Sequence, residues 1–246
     1  MNNCFVNVCG GLGNQLFQIA SGYAYSKKHN KEMWINPYYW DASQGKSPKD
    51  YQTTIFKNFQ YWSCPNGNTK ILMETIPYLE LDFHIGNVSL NGYFQSLKYF
   101  HDYFEEFKNK LDLPKVKKDF IEKNNVAFHI RRGDYLLYPN IHYVCDTNYF
   151  VNMFEEFSNY QINVFTDSPN HVLKEFEDFD FNLIQTSSEL NDLTLMSQHD
   201  NIVCSNSSFS WWASVLGRKK DRVIVPNKWF NDREFEDIYY EGMIRI

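Results

Sequence analysis

Short apolar runs alternate with amphipathic segments along the second half of the chain, and this alternation constrains the fold most strongly. Residues 126–129 and 162–166 are typical of buried strands, and the segment 147–158 between them has the apolar spacing of a helix. Further strand-like runs, each preceded by a helical pattern, follow at 181–184, 201–205 and 222–225. This order predicts a parallel, doubly wound α/β sheet.

The N-terminal part begins with the same pattern. Residues 4–9 are typical of a strand, a glycine-rich turn follows at 10–13, and apolar side chains then recur at helical spacing. A polar run at 108–125, which contains Pro114, is the best candidate for a domain boundary. We therefore predict two Rossmann-like domains facing a cleft. They are residues 1–113 and 114–246, and the last residues of the second domain are free to pack back on the first.

Net charge and composition exclude several classes of protein. The formal charge is −6 at pH 7, which argues against nucleic acid as a partner, because its phosphates are bound by positive patches. No apolar run approaches the ~18 residues of a membrane span. No signal peptide precedes the first strand-like run, so we expect a cytoplasmic protein. The five cysteines lack metal-site spacing, and we expect neither a metal nor another cofactor.

Two adjacent arginines, Arg131 and Arg132, follow the apolar run at 126–129. The chain has only six arginines, so the pair is a local concentration of charge. A diphosphate is one natural ligand, because the planar guanidinium matches phosphate oxygens with two parallel donors. A structural salt bridge to Asp134 or another carboxylate explains the pair equally well.

Two loops offer polar groups at predicted strand-to-helix turns. The loop at 10–15 combines glycines with Asn14 and Gln15, whose amides suit sugar hydroxyls better than phosphates. The loop at 205–210 contains four serines and an asparagine, more than one helix cap needs. Because parallel strands end at a common edge, this serine loop should meet the arginine pair and the segment 165–168 there.

Together these motifs resemble glycosyltransferase family 11, and within it the α-1,2-fucosyltransferases. The resemblance runs from the first strand nearly to the C-terminus, and its most specific pieces are the arginine motif and the serine loop. The matching segments, in order, are residues 11–18, 91–96, 129–135, 165–167, 206–212 and 226–230.

The resemblance implies a GT-B fold and an inverting, metal-independent transfer of L-fucose. The donor would be GDP-β-L-fucose and the acceptor a galactose-type 2-hydroxyl of a glycan. It also implies roles for particular residues, with Arg132 bearing most of the leaving-group charge. The implied catalytic residues are Arg131, Arg132 and Asp134. The implied donor-binding residues are His129, Asp167, Asp192, Asn206, Ser207, Ser208 and Phe209. Gly13, Asn14 and Gln15 would lie on the acceptor and fucose side.

One position departs from the family pattern, and two other functions stay open. Ser168 stands where the family more often has a second aspartate, which puts any role for paired carboxylates in doubt. A transferase of another GDP-sugar would keep the same diphosphate-binding residues. A non-catalytic glycan-binding module would use the aromatic residues and the loop at 10–15, and would have no use for the arginine pair.

Overall fold

A computed structural model describes residues 2–39, 45–62, 68–117, 121, 124–137, 140 and 143–246, without the side chain of Asp134. Cys64 lies outside the described residues. The chain divides into two compact units. One comprises Met1–Pro114 with Glu236–Tyr240, and the other comprises Lys115–Phe235 with Glu241–Ile246. Within the described part of the chain, none of the helices is long and apolar enough to cross a membrane.

The first unit is built on a four-stranded parallel sheet in the order β2-β1-β4-β3. The 17-residue helix α1 covers the central strand β1, whose side chains from Cys4 onward are buried. Gly22 allows this close packing, because a Cβ there would lie 2.1 Å from a methyl group of Val6. The elements are β1 (Asn3–Asn7), α1 (Leu12–Lys28), β2 (Glu32–Asn36), β3 (Thr69–Met73), β4 (Asn87–Asn91) and α2 (Phe104–Lys108).

The second unit is built on a six-stranded parallel sheet in the order β10-β9-β8-β5-β6-β7. Its strand β5 is buried along its whole length. Phenylalanines of the following helix, Phe150 and Phe154, pack with Phe128 of β5 in the core on one side of this sheet. The strands are β5 (Asn125–Ile130), β6 (Gln161–Thr166), β7 (Asn182–Ile184), β8 (Asn201–Val203), β9 (Arg222–Val225) and β10 (Met243–Arg245). The helices are α3 (Gly133–Leu137), α4 (Thr147–Glu156), α5 (Pro169–Glu175), α6 (Glu189–Met196) and α7 (Ser208–Val215).

The predicted α/β class with parallel sheets is confirmed. In the first unit, 3₁₀ turns at Leu97–Tyr99 and His101–Tyr103 precede the five-residue helix α2. The sequence patterns did not predict the short helix α3 or the strand β10. The five-residue α3 covers little more than one helical turn, which is too short for a helical apolar period to emerge.

A buried histidine makes the stability of the second unit depend on pH. His199 is fully buried. Its Nδ1 lies 3.1 Å from the Leu195 carbonyl oxygen and its Nε2 lies 2.9 Å from Nδ2 of Asn163. Both contacts suit a neutral ring that donates from Nδ1 and accepts at Nε2. Burial lowers the pKa of His199 from 6.5 to about 4.

We therefore expect acidification to destabilise the fold. Between pH 6.5 and pH 4 the unfolded chain binds a proton at this ring that the folded chain excludes. The free energy of unfolding therefore decreases as the pH is lowered. His199 alone should account for a decrease of about 2 kcal/mol between pH 7.5 and pH 5. Urea unfolding at pH 7.5 and pH 5 measures the effect. A His199→Gln variant should show a shallower pH dependence than the wild type, and an identical dependence would contradict this assignment.

Candidate active site

Three adjacent strands of the second unit end at one edge of its sheet. β5 pairs in parallel with both β6 and β8, so their carboxyl ends bring Arg131, Asp167 and Ser205 together. The backbone N–H of Arg131 donates to Oγ of Ser205 at 3.0 Å. Oγ of Ser205 in turn donates to the carbonyl oxygen of His129 at 2.7 Å. The predicted meeting of the arginine motif with the serine loop is therefore present.

Arg131 presents its guanidinium at this edge. Its side chain is 33% exposed, and Nε lies 3.0 Å from Oδ2 of Asp167. The guanidinium carbon also lies 5.4 Å from the centre of the Tyr135 ring, a distance typical of a cation–π contact. The carboxylate and the ring hold the side chain in place, and about one third of it remains exposed to solvent.

Asp167 is fixed by the backbone that follows β5. Its Oδ1 accepts the backbone N–H of Arg132 at 3.0 Å. Gly133 makes room for the carboxylate, because a Cβ at this position would lie 2.3 Å from Oδ2 of Asp167. Ser168, at the position that departs from the family pattern, accepts the N–H of Gly133 through its hydroxyl at 3.1 Å. Asp167 therefore contacts both the side chain of Arg131 and the neighbouring backbone.

Arg132 faces the interior, and this corrects the role predicted for it. Its side chain is only 3% exposed. Nε and Nη2 donate to the two carboxylate oxygens of Glu175 at 2.9 and 2.7 Å. Nη1 donates to the carbonyl oxygen of Cys145 at 2.7 Å, and the guanidinium lies 5.3 Å from the centre of the Phe150 ring. A guanidinium so engaged is not available to a diphosphate; the alternative of a structural salt bridge describes it correctly.

Asn206 also has a structural role in place of the predicted donor contact. It is buried, and its Nδ2 donates to the carbonyl oxygen of Trp229 at 2.8 Å. Its backbone carbonyl accepts the hydroxyl of Tyr135 at 3.0 Å. Asn206 thus ties the serine loop to the segment after β9 and to α3. The side chain of Asp134 lies outside the described residues, so its predicted part in catalysis stays a prediction.

The four serines of the loop have different roles. Ser210 is buried, and its hydroxyl contacts backbone carbonyl oxygens of Ser205 and Ser207. Ser207 is the N-cap of α7, where its Oγ accepts the N–H of Phe209 at 3.3 Å. Ser208 begins the helix and is half-buried. The first turn of α7 therefore brings its N–H groups, with the positive end of the helix dipole, to the strand edge that carries Arg131.

His129 and Phe209 lie against each other beside this turn, with ring centres 5.5 Å apart. Burial, together with the nearby positive charge of Arg131, lowers the pKa of His129 to about 4. Its Nδ1 is buried and has no hydrogen-bond partner among the described residues. Asp192 lies in the first turn of α6, where burial raises its pKa and its Oδ1 accepts the N–H of Thr186 at 3.3 Å. His129 is therefore a neutral, buried imidazole, and Asp192 a half-buried carboxyl.

The residues predicted for the acceptor side lie at the start of α1 in the first unit. Gly13 is buried. Gln15 is fully buried, and its Nε2 donates to the carbonyl oxygens of Gly10 at 2.9 Å and Lys46 at 2.8 Å. These contacts correct the prediction that Gln15 contacts substrate: its amide holds the loop. Asn14 is half-buried, and its Oδ1 accepts Nε2 of Gln95 at 2.6 Å.

Sequence reasoning missed two residues on which these sites depend. Glu175 binds the buried guanidinium of Arg132 from α5. Glu74, the residue after β3, accepts backbone N–H groups of the loop that follows β4. Neither belongs to a motif. A buried arginine requires a carboxylate partner, but the partner of Arg132 is 43 residues away in the sequence, and no local pattern points to it.

Comparison with known proteins identifies the family and the fold class of this chain. A family model described as glycosyl transferase family 11 matches residues 46–246, so the chain belongs to that family. It is a nucleotide-sugar-dependent glycosyltransferase resembling fucosyltransferases, and the two Rossmann-like units are those of the GT-B fold.

Relatives from Escherichia coli match almost end to end. An alpha-1,2-colitosyltransferase is 27% identical over 100% of this chain and 99% of its own length. The O-antigen biosynthesis glycosyltransferase WbnK is 25% identical, with 96% and 98% covered. The fold is similar to that of the fucosyltransferase NodZ from Bradyrhizobium (TM-score 0.57, 12% identity, 90% of this chain and 94% of that chain). NodZ structures have been determined after soaking with GDP-fucose and after co-crystallisation with GDP.

Proposed function

We propose that the protein is an inverting α-1,2-fucosyltransferase that moves L-fucose from GDP-β-L-fucose to a galactose-type 2-hydroxyl of a glycan. Family membership, together with the NodZ structures obtained by soaking with GDP-fucose and by co-crystallisation with GDP, supports a GDP-sugar as the donor. The α-1,2 linkage made by the related colitosyltransferase, as its name states, supports transfer to a 2-hydroxyl. The proposal includes that the reaction needs no divalent cation.

The placement of Arg131 carries this proposal. The Arg131 side chain, one-third exposed and held by Asp167 at 3.0 Å, shares one strand edge with the first turn of α7. The guanidinium supplies a full positive charge and the helix start supplies N–H donors, which together suit a diphosphate. In this proposal His129, Asp192 and Phe209 contact the guanine, and Ser207 and Ser208 contact phosphate oxygens.

Transfer then depends on stabilising the charge that develops as GDP leaves. A fixed donor aimed at a developing charge contributes about 10²–10³-fold to the rate, and we assign this part to Arg131. Inversion requires the acceptor hydroxyl to attack from the face opposite the diphosphate. A general base would add about 10²–10⁴-fold. Asp134 is the acidic residue of the motif, and we propose it either for that part or for orienting the arginines.

A donor panel tests the proposal. The purified protein is incubated with a galactose-terminated acceptor and each of several GDP-sugars, with and without EDTA, and the product linkage is determined by NMR. We expect transfer of fucose in α-1,2 linkage, with turnover unchanged by EDTA. A tenfold loss that Mg²⁺ or Mn²⁺ restores would assign charge neutralisation to a metal. A glycan-binding module would show no transfer and no increase in Tm with GDP.

GDP-colitose is the second candidate donor, because the colitosyltransferase relative matches the whole chain. Colitose is L-fucose without the 3-hydroxyl, so both donors place the same diphosphate on the same residues. A site that hydrogen-bonds the 3-hydroxyl would discriminate strongly against the deoxy sugar, since its polar groups would be left unpaired. The ratio of kcat/KM for the two donors therefore decides between them.

A further inference from the structure

The loop after β4, residues 92–96, belongs to the matched motifs, but the donor site does not explain it. Its backbone is strained: Phe94 is fully buried and has φ of +52°, a conformation that costs a non-glycine residue free energy. Such strain persists only where surrounding contacts impose it. Here the hydrogen bonds on either side of Phe94 are made to the carboxylate of Glu74.

Glu74 holds this loop from the end of the neighbouring strand β3. Its backbone N–H donates to the carbonyl oxygen of Asn91 at 3.0 Å. Its Oε2 accepts the N–H of Tyr93 at 2.7 Å and its Oε1 accepts the N–H of Gln95 at 3.2 Å. Gly92 makes this approach possible, because a Cβ there would lie 2.3 Å from Cβ of Glu74. One carboxylate thus fixes two backbone groups on either side of Phe94.

The loop in turn fixes Asn14. Nε2 of Gln95 donates to Oδ1 of Asn14 at 2.6 Å, so the Asn14 amide has a defined orientation. Its Nδ2 lies over Gly10, where a Cβ would be 2.6 Å away and where φ is +79°. Glycine at 10 therefore leaves the space in which the Asn14 N–H groups lie. A continuous chain of contacts runs from the Glu74 carboxylate through Gln95 to the Asn14 amide.

We infer that Glu74 is a positioning residue for the acceptor sugar, acting through Gln95 on the amide of Asn14. The inference rests on the proposed function and on the expectation that Asn14 lies on the acceptor and fucose side of the site. An oriented amide discriminates between sugar hydroxyl positions, whereas a rotating amide does not, because alternate orientations exchange donor for acceptor. The exposed ring of Tyr93, whose N–H is bound to Glu74, adds an aromatic face of the kind that packs on a neutral sugar.

Steady-state kinetics of Glu74→Gln tests this inference. The substitution keeps the volume but replaces one accepting oxygen with an NH₂ group, which faces a backbone N–H. We expect the acceptor KM to rise about tenfold, the effect of losing one charge-assisted hydrogen bond. The affinity for GDP, which lacks the sugar, should stay within about twofold, because the residues proposed to bind GDP lie in the second unit. A loss of fold would instead lower Tm and weaken GDP binding as well.

A double-mutant cycle separates positioning from a local packing effect. If Glu74 acts through Gln95, the variant combining Glu74→Gln with Gln95→Ala should raise the acceptor KM no further than the larger single effect. Glu80→Gln, an exposed carboxylate paired with Lys28 elsewhere in the first unit, is the matched control and should behave as wild type. Additive effects, or an unchanged acceptor KM in Glu74→Gln, overturn the inference. Absence of transfer by the wild type from any GDP-sugar overturns the proposed function instead.

Discussion

Replacing Arg131 with alanine is expected to lower kcat/KM by about 10²–10³-fold while leaving the protein folded. The side chain is one-third exposed and contacts the carboxylate of Asp167, itself 23% exposed, at 3.0 Å, so its removal leaves no fully buried charge without a partner. What is lost is the positive charge that opposes the departing diphosphate. Initial rates at varied donor concentration, together with a thermal melt of the same preparation, measure both effects.

Two variants control for charge and for surface chemistry. Arg131→Lys keeps the charge but not the fork of donors, and should recover only part of the activity, because one ammonium cannot match two phosphate oxygens bidentately. Arg218→Ala removes an exposed arginine that is paired with Asp200 at 3.0 Å in the same unit, and should behave as wild type. Near-normal turnover by Arg131→Ala would refute the role assigned to this residue.

Replacing Arg132 with alanine is expected to destabilise the fold as its primary effect. The substitution leaves the carboxylate of Glu175, whose side chain is 13% exposed, without its bidentate partner. Removing one member of a buried ion pair costs about 3–5 kcal/mol. For a chain of this size the Tm should fall by about 10 °C. Thermal and urea unfolding of the variant measure the loss.

A double substitution distinguishes this effect from a catalytic one. Arg132→Met combined with Glu175→Leu removes both charges and fills the site with apolar volume, so it should be more stable than Arg132→Ala alone. Donor binding should persist in the double variant, because Arg131 is retained. An Arg132→Ala variant with unchanged Tm and abolished donor binding would contradict the interior placement of this side chain.

The parallel order of the strands made much of the fold and part of the site predictable. Apolar runs separated by helical patterns determine parallel sheets, and parallel strands share a carboxyl edge. The meeting of Arg131 with Asp167 and the serine loop follows from that edge alone. The N-cap role of Ser207 could likewise be predicted, because a serine before an apolar helix is a common helix start signal.

The orientation of adjacent side chains was not predictable in the same way. Arg131 and Arg132 lie just past Ile130, where β5 ends and the alternation of side chains between faces no longer applies. Which arginine faces inward depends on Glu175 in α5, a contact that exists only in the folded chain. Gln15 illustrates the same limit, because an amide beside glycines suits a ligand and a loop carbonyl equally, and here it binds Gly10 and Lys46.

Isothermal titration of GDP and GMP, without divalent cations, tests the central claim most directly. The claim is that Arg131 and the start of α7 bind the diphosphate of the nucleotide. The wild type should bind GDP more tightly than GMP, by about 10–100-fold if the guanidinium contacts the second phosphate. In Arg131→Ala this preference should largely disappear while GMP affinity changes less. A variant that retains the full preference for GDP, or a wild type that binds neither nucleotide, would contradict the account.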